Sequence, residues 1–262
     1  MVNPLLQSAA AMLLVLAQST GGFAPAPGPE RLRVQVLHKM PHDSAAFTEG
    51  LESAGSELYE SSGRAGRSWI AVGPAGAPPR ARTALPGRLF GEGITVVGDR
   101  VWQLTWRDGV AIERDRDTLA ERRRVSYRGE GWGLCFQAGG GQRRLVMSDG
   151  SNRLTFRDPG SFAVTGHVDI TRDGSSVQGL NELECTPDGT VWANVFPTYT
   201  IVRLDPTTGT VTATADVGGL YPDPERPSRE ATPNGIAAVP GTDEFLVTGK
   251  LWPHIFRVRF VS

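Results

Sequence analysis

Lysine is nearly absent from this chain. Of 27 basic residues only Lys39 and Lys250 are lysines, so chemistry that needs an ammonium has two side chains to draw on. Histidine is confined to His38, His42, His167 and His254, and cysteine to Cys135 and Cys185. Neither a Cys-x-x-Cys nor a His-Glu-x-x-His spacing occurs, which removes the familiar zinc motifs. Gly249-Lys250 lacks the upstream glycine of a phosphate-binding loop, and no Gly-x-Ser-x-Gly elbow marks a serine hydrolase. A net charge of −1 gives no electrostatic case for nucleic acid or an anionic membrane as partner. Two cysteines permit at most one bridge, and their spacing leaves open whether they pair.

Long apolar runs are missing too. The longest, residues 9–17, falls short of the roughly 20 residues of a membrane-spanning helix. With the small residues Val15-Leu16-Ala17 at its end, the segment 1–17 reads as a signal peptide. A Pro/Gly/Ala-rich linker over 18–30 follows, then a single domain over 31–262. That order predicts a secreted or periplasmic, monomeric protein. No stretch carries the 3.6-residue period of an amphipathic helix; the best window, 115–125, is too charged to bury a face.

What the chain does contain is glycine and proline, 32 and 19 residues, scattered between short apolar runs as in an all-β protein. Five segments share an opening: Thr48-Glu49-Gly50-Leu51, Gly91-Glu92-Gly93-Ile94, Gly131-Trp132-Gly133-Leu134, Leu180-Asn181-Glu182-Leu183 and Pro233-Asn234-Gly235-Ile236. Their second positions lie 43, 40, 49 and 53 residues apart, and each opening is followed by a second strand-like run. Units of this size, with about four strands each, are propeller blades. The pattern predicts an all-β, five-bladed β-propeller. Residues 32–37 are expected to pair beside 255–260 and close the ring, which removes a free sheet edge.

In such a ring equivalent positions converge on the axis. The openings bring Glu49, Glu92, Trp132, Asn181 and Asn234 to one level. The ends of the second strands bring Gly63, Trp106, Gly150, Phe196 and Lys250 to another at the same mouth. Aromatic walls with a few convergent polar groups describe a small-ligand pocket.

Several blocks carry a more specific likeness. Ala46-Phe47-Thr48-Glu49-Gly50-Leu51, Phe90-Gly91-Glu92-Gly93-Ile94-Thr95 and Gln103-Leu104-Thr105-Trp106 are among them. Gly131-Trp132-Gly133-Leu134, Leu180-Asn181-Glu182-Leu183-Glu184 and Val247-Thr248-Gly249-Lys250-Leu251-Trp252-Pro253 are others. In order, over residues 42–253, they resemble the plant and bacterial glutaminyl cyclases. The resemblance implies a propeller enzyme, free of metal and cofactor, that cyclises the N-terminal glutamine of peptides or proteins to pyroglutamate and releases ammonia. It implies Glu92 as acid/base, with Asn181 and Lys250 as polar catalytic groups. Phe47, Phe90, Trp106 and Trp132 would line the substrate pocket. Two positions depart from the pattern: Glu49 stands where the family usually has glutamine, and Phe196 where it usually has a third tryptophan. Lys250 can serve as an oxyanion donor or as the ion-pair partner of Glu49 or Glu92.

Two other readings fit the same ring. One is a propeller that only binds a peptide end or small metabolite, since fold alone does not choose chemistry. The other is a metal-dependent propeller hydrolase, against which the missing ligand clusters weigh.

Overall fold

The computed structural model describes residues 28–139 and 141–262. The segment read as a signal peptide, and residues 18–27 of the linker, lie outside the described residues; Glu30, expected to end the linker, already opens the first strand.

That strand, β1 (Glu30–Pro41), is followed by a four-stranded meander, β2 to β5 (Thr48–Ala54, Glu57–Ser62, Trp69–Gly73, Ala81–Ala84). A second meander is β6 to β9 (Gly91–Val97, Arg100–Thr105, Val110–Asp115, Glu121–Ser126) and a third β10 to β13 (Leu134–Gln137, Arg144–Ser148, Arg153–Arg157, Val164–Asp169). After the short β14 (Thr171–Arg172) and β15 (Ser175–Ser176) comes a fourth, β16 to β19 (Leu180–Cys185, Val191–Val195, Thr200–Asp205, Thr210–Asp216). The last strands, β20 to β22 (Pro233–Ala238, Glu244–Gly249, His254–Val261), take β1 as their outer neighbour. Among the described residues, helix is limited to two short 3₁₀ turns, Gly218–Leu220 and Asp223–Glu225. No helix among them is long and apolar enough to cross a membrane.

β1 pairs antiparallel with β22 from Arg33↔Val261 to Pro41↔His254, so the two ends of the domain share one sheet, as the sequence predicts. The start of β1 also pairs parallel with β19, which merges the fourth and last meanders into one continuous sheet. The first strands follow one another around a circle: β2 packs on β6, β6 on β10, β10 on β16, β16 on β20, and β20 back on β2.

The repeated glycine of each opening is explained by how closely these strands cross. A Cβ at Gly50 would lie 2.8 Å from the Ile94 nitrogen, one at Gly93 2.6 Å from the Trp132 oxygen, and one at Gly133 2.1 Å from the Asn181 oxygen. Any larger residue would push neighbouring strands apart. In the fourth opening Glu182 stands in place of glycine and fills the axis. Its carboxylate accepts the backbone N–H groups of Leu51 (3.2 Å) and Ile236 (2.7 Å), tying β16 to β2 and β20. The outer strands β9 and β13 are largely exposed and β19 alternates between its faces, whereas the opening strands are mostly buried. Apolar layers fill the spaces between sheets; Trp192, for example, stacks on Phe260 at 4.9 Å and meets Phe245 at 4.9 Å.

Cys135 on β10 and Cys185 on β16 form a disulfide between adjacent meanders, Cα to Cα 5.4 Å, closing a sequence separation of 50 residues. Chain-entropy arguments put the worth of such a closure at roughly 4 kcal/mol. The Cys135→Ser/Cys185→Ser double variant should therefore unfold at clearly lower urea concentration than the oxidised protein. Coincident unfolding curves would show that the bridge does not stabilise the ring.

Candidate active site

A cavity of about 260 Å³ opens at the mouth of the ring. It is lined by the nine candidate catalytic and substrate-binding residues Phe47, Glu49, Phe90, Glu92, Trp106, Trp132, Asn181, Phe196 and Lys250, though not by Asn234, Gly63 or Gly150. Glu49, Glu92 and Asn181 come from the opening strands β2, β6 and β16. Trp106, Phe196 and Lys250 stand just beyond the ends of the second strands β7, β17 and β21. The two predicted levels therefore meet in one cup. Gly63 and Gly150, members of the second level, have no side chain because aromatic rings occupy that space. A Cβ on Gly63 would lie 2.1 Å from the Phe90 ring, and one on Gly150 2.6 Å from Trp132.

The walls are a nearly continuous aromatic surface. Phe47 meets Phe90 edge-on at 6.4 Å, Phe90 meets Trp106 at 5.5 Å, and Trp132 meets Phe196 at 5.9 Å. Both indole N–H groups of the cup donate to one oxygen of Glu130, Trp106 at 2.7 Å and Trp132 at 3.0 Å. The other Glu130 oxygen accepts Arg107 Nε at 2.8 Å, and the Arg107 guanidinium lies 3.8 Å over the Trp106 ring. Burial alone would raise the Glu130 pKa, but these hydrogen bonds hold it below the ordinary value. One carboxylate thus fixes both tryptophans from behind.

Three ionisable groups share the interior. Lys250 Nζ lies 2.8 Å from Glu49 Oε1, and the second Glu49 oxygen accepts Asn234 Nδ2 at 2.8 Å. The ammonium also sits 4.7 Å from the Phe47 centroid and 5.5 Å from that of Phe196. Of the two roles open to Lys250, the geometry forms the ion pair with Glu49. Burial raises the Glu49 pKa to about 7, against the opposing pull of Lys250, Arg64 and Asn234. Glu92 is buried as well, yet its carboxyl makes no hydrogen bond to another described residue. Its pKa is driven well above the ordinary range, first by desolvation and then by the Glu49 charge, with Glu130 adding and Lys250 opposing. Beside it, the Asn181 Oδ1 is buried with no hydrogen-bond partner. A carboxyl and an amide oxygen therefore face the same small space without a partner, an arrangement that a hydrogen-bond donor entering the cavity would complete.

Three contributors escape a reading of the sequence. Arg64 and Glu230 line the cavity's open side, and Glu130 grips the tryptophans without lining it. None occupies a repeat-equivalent position, so alignment of the openings does not reach them; Glu130 leaves only the faint signal of an acid two residues before Trp132. Asn234 is in the predicted ring but acts through Glu49 and the Thr48 carbonyl (3.0 Å) rather than on the cavity. Among the described residues no group of three His, Cys, Asp or Glu side chains is placed to hold a metal ion.

Residues 7–260 match the family model described as glutamine cyclotransferase. A curated relative, the glutaminyl-peptide cyclotransferase of Arabidopsis thaliana, is 30% identical over 231 residues, covering 86% of this chain and 71% of the relative. The crystal structure of the Myxococcus xanthus glutaminyl cyclase superposes with a TM-score of 0.82 at 35% identity, covering 89% of this chain and 98% of the other.

Proposed function

The chain belongs to the glutamine cyclotransferase family, and from that premise we propose that Glu92 carries the proton transfers that close N-terminal glutamine into pyroglutamate. We take the five meanders as five blades, and the disulfide as support for export to an oxidising compartment.

In the reaction the α-amine attacks the carbon of its own γ-carboxamide. A C–N bond forms, the carboxamide C–N bond breaks, and ammonia leaves. Because both partners sit on one residue, the cup has only to fold the side chain back and hold the two ends in contact. Phe47, Phe90, Trp106 and Trp132 grip the methylenes and exclude water. The unpartnered Asn181 Oδ1 accepts an N–H of the amine and aims its lone pair. As the new bond forms, the amine proton passes to the Glu92 carboxylate. The resulting carboxylic acid returns that proton to the departing nitrogen. A single group can serve both steps because its raised pKa makes the carboxylate a stronger base than an exposed glutamate, while the acid it becomes can still hand the proton to the departing nitrogen. Lys250, held by Glu49, retains two N–H donors for the oxygen that gathers negative charge; a positioned donor of this kind contributes roughly 3–4 kcal/mol. No step of this scheme draws on a metal. The observation that carries it is the buried Glu92 carboxyl, unpartnered in a cup of aromatic rings.

Glu92→Gln keeps the shape and removes the titrating group. Ammonia release from a Gln-initiated peptide should fall by about a hundredfold or more. Turnover near the parent rate would take Glu92 out of the mechanism.

Glu92 must be ionised to act as base, so the rate should rise with pH through its elevated pKa. Glu49→Gln deletes the charge that raises this pKa and turns the Lys250 ammonium toward Glu92; both changes favour the carboxylate. The acid limb of the kcat/KM profile should move to lower pH. An unmoved limb would mean that Glu49 does not govern the titrating group.

A further inference from the structure

Arg64 and Glu230 stand where the cavity opens, and the cyclisation chemistry uses neither. Their side chains are 43% and 58% exposed, in contrast to the buried Glu49, Glu92 and Asn181 at the closed end. The two are ion-paired, Arg64 Nη2 to Glu230 Oε2 at 2.9 Å. The Arg64 guanidinium also lies over the Phe47 ring, 4.0 Å from its centroid, so it is held from two sides. Glu230 belongs to the 221–232 connection, whose end is tied down beside the site. Trp252 Nε1 donates to the Ala231 carbonyl at 3.1 Å, and the Lys250 N–H donates to the Thr232 carbonyl at 2.9 Å.

A volume of about 260 Å³ lies just below the range of roughly 300–1,000 Å³ found for sites that enclose a whole small ligand. One folded glutamine residue fills such a space, and the rest of the peptide must leave across the rim. With the amine directed at Glu92, the chain leaves by the open side, past Arg64 and Glu230. We infer that this ion pair is the subsite for the residue that follows the substrate's glutamine, and that its internal charge balance makes the enzyme indifferent to the charge of that residue. A cation on the second residue meets the carboxylate and an anion meets the guanidinium; neither is repelled by the pair as a whole. The inference rests on the cyclase reading of the site.

The test compares kcat/KM for peptides beginning Gln-Glu and Gln-Arg. The parent enzyme should treat the two alike, within about twofold. Glu230→Gln leaves Arg64 unbalanced and should shift the ratio toward Gln-Glu by roughly fivefold, the size of one partly exposed charge contact. Arg64→Met should shift it by a similar factor toward Gln-Arg. The charge-swapped double variant Arg64→Glu/Glu230→Arg should restore a ratio near one. Each ratio is internal to one preparation, so differences in the amount of folded protein cancel. Ratios that stay fixed in both single variants would overturn the subsite assignment. If the parent turned over neither peptide, the cyclase reading would fail instead.

Discussion

Lys250 and Glu49 lie 2.8 Å apart inside an aromatic cup, and the chemistry of the site follows from what that pair leaves over. The interior encloses two carboxyl groups and one ammonium. Glu49 takes the ammonium directly and is held by Asn234 from the other side, so at Glu92 the repulsion of Glu49 outweighs the attraction of Lys250. Burial is the first cause of the raised Glu92 pKa, and in an environment poor in water this imbalance adds to it instead of being screened away. Removing one member of a buried pair strands the other at a cost of roughly 3–5 kcal/mol, so Glu49 and Lys250 act as a unit. A glutamine at position 49, as in the family pattern, would hold Asn234 but would not neutralise the lysine.

The cup can hold these groups because the opening strands converge so closely. Glycines at 50, 93 and 133 let strands cross at distances where a single methyl would collide with backbone. Glu182 fills the axis below the site and binds two neighbouring strands through their N–H groups. The β1–β22 pairing joins the ends of the domain, and the disulfide links the third and fourth meanders. Functional side chains therefore project from buried strands or their immediate ends, where rotation is restricted. Glu130 extends the same logic to the walls, since one fixed acceptor orients both tryptophans.

Much of this was legible in the residues because the architecture repeats. Five openings, four of them sharing a glycine that Glu182 replaces in the other, can be aligned by eye, and alignment turns sequence positions into positions around an axis. That step alone brings Glu49, Glu92, Trp132 and Asn181 together with Trp106, Phe196 and Lys250. Chemistry that breaks the repeat was not legible. Arg64 follows a glycine at the end of β3, and Glu230 sits in a connection without a counterpart in the other units. Which partner Lys250 chooses depends on distances of a few ångströms that no spacing encodes. The cysteine pairing likewise became visible only when β10 and β16 proved adjacent.

Glu92 is a buried carboxyl without a hydrogen-bond partner among the described residues, and burial with the neighbouring Glu49 charge holds its pKa well above the ordinary glutamate range. Carbon-13 NMR of protein labelled at the glutamate side-chain carboxyls, with Glu92→Gln to assign the resonance, measures this directly. The Glu92 carboxyl should titrate well above the ordinary glutamate range and should respond to a second titration, that of Glu49. A Glu92 resonance that titrates at about 4.3, as in an exposed glutamate, would contradict it.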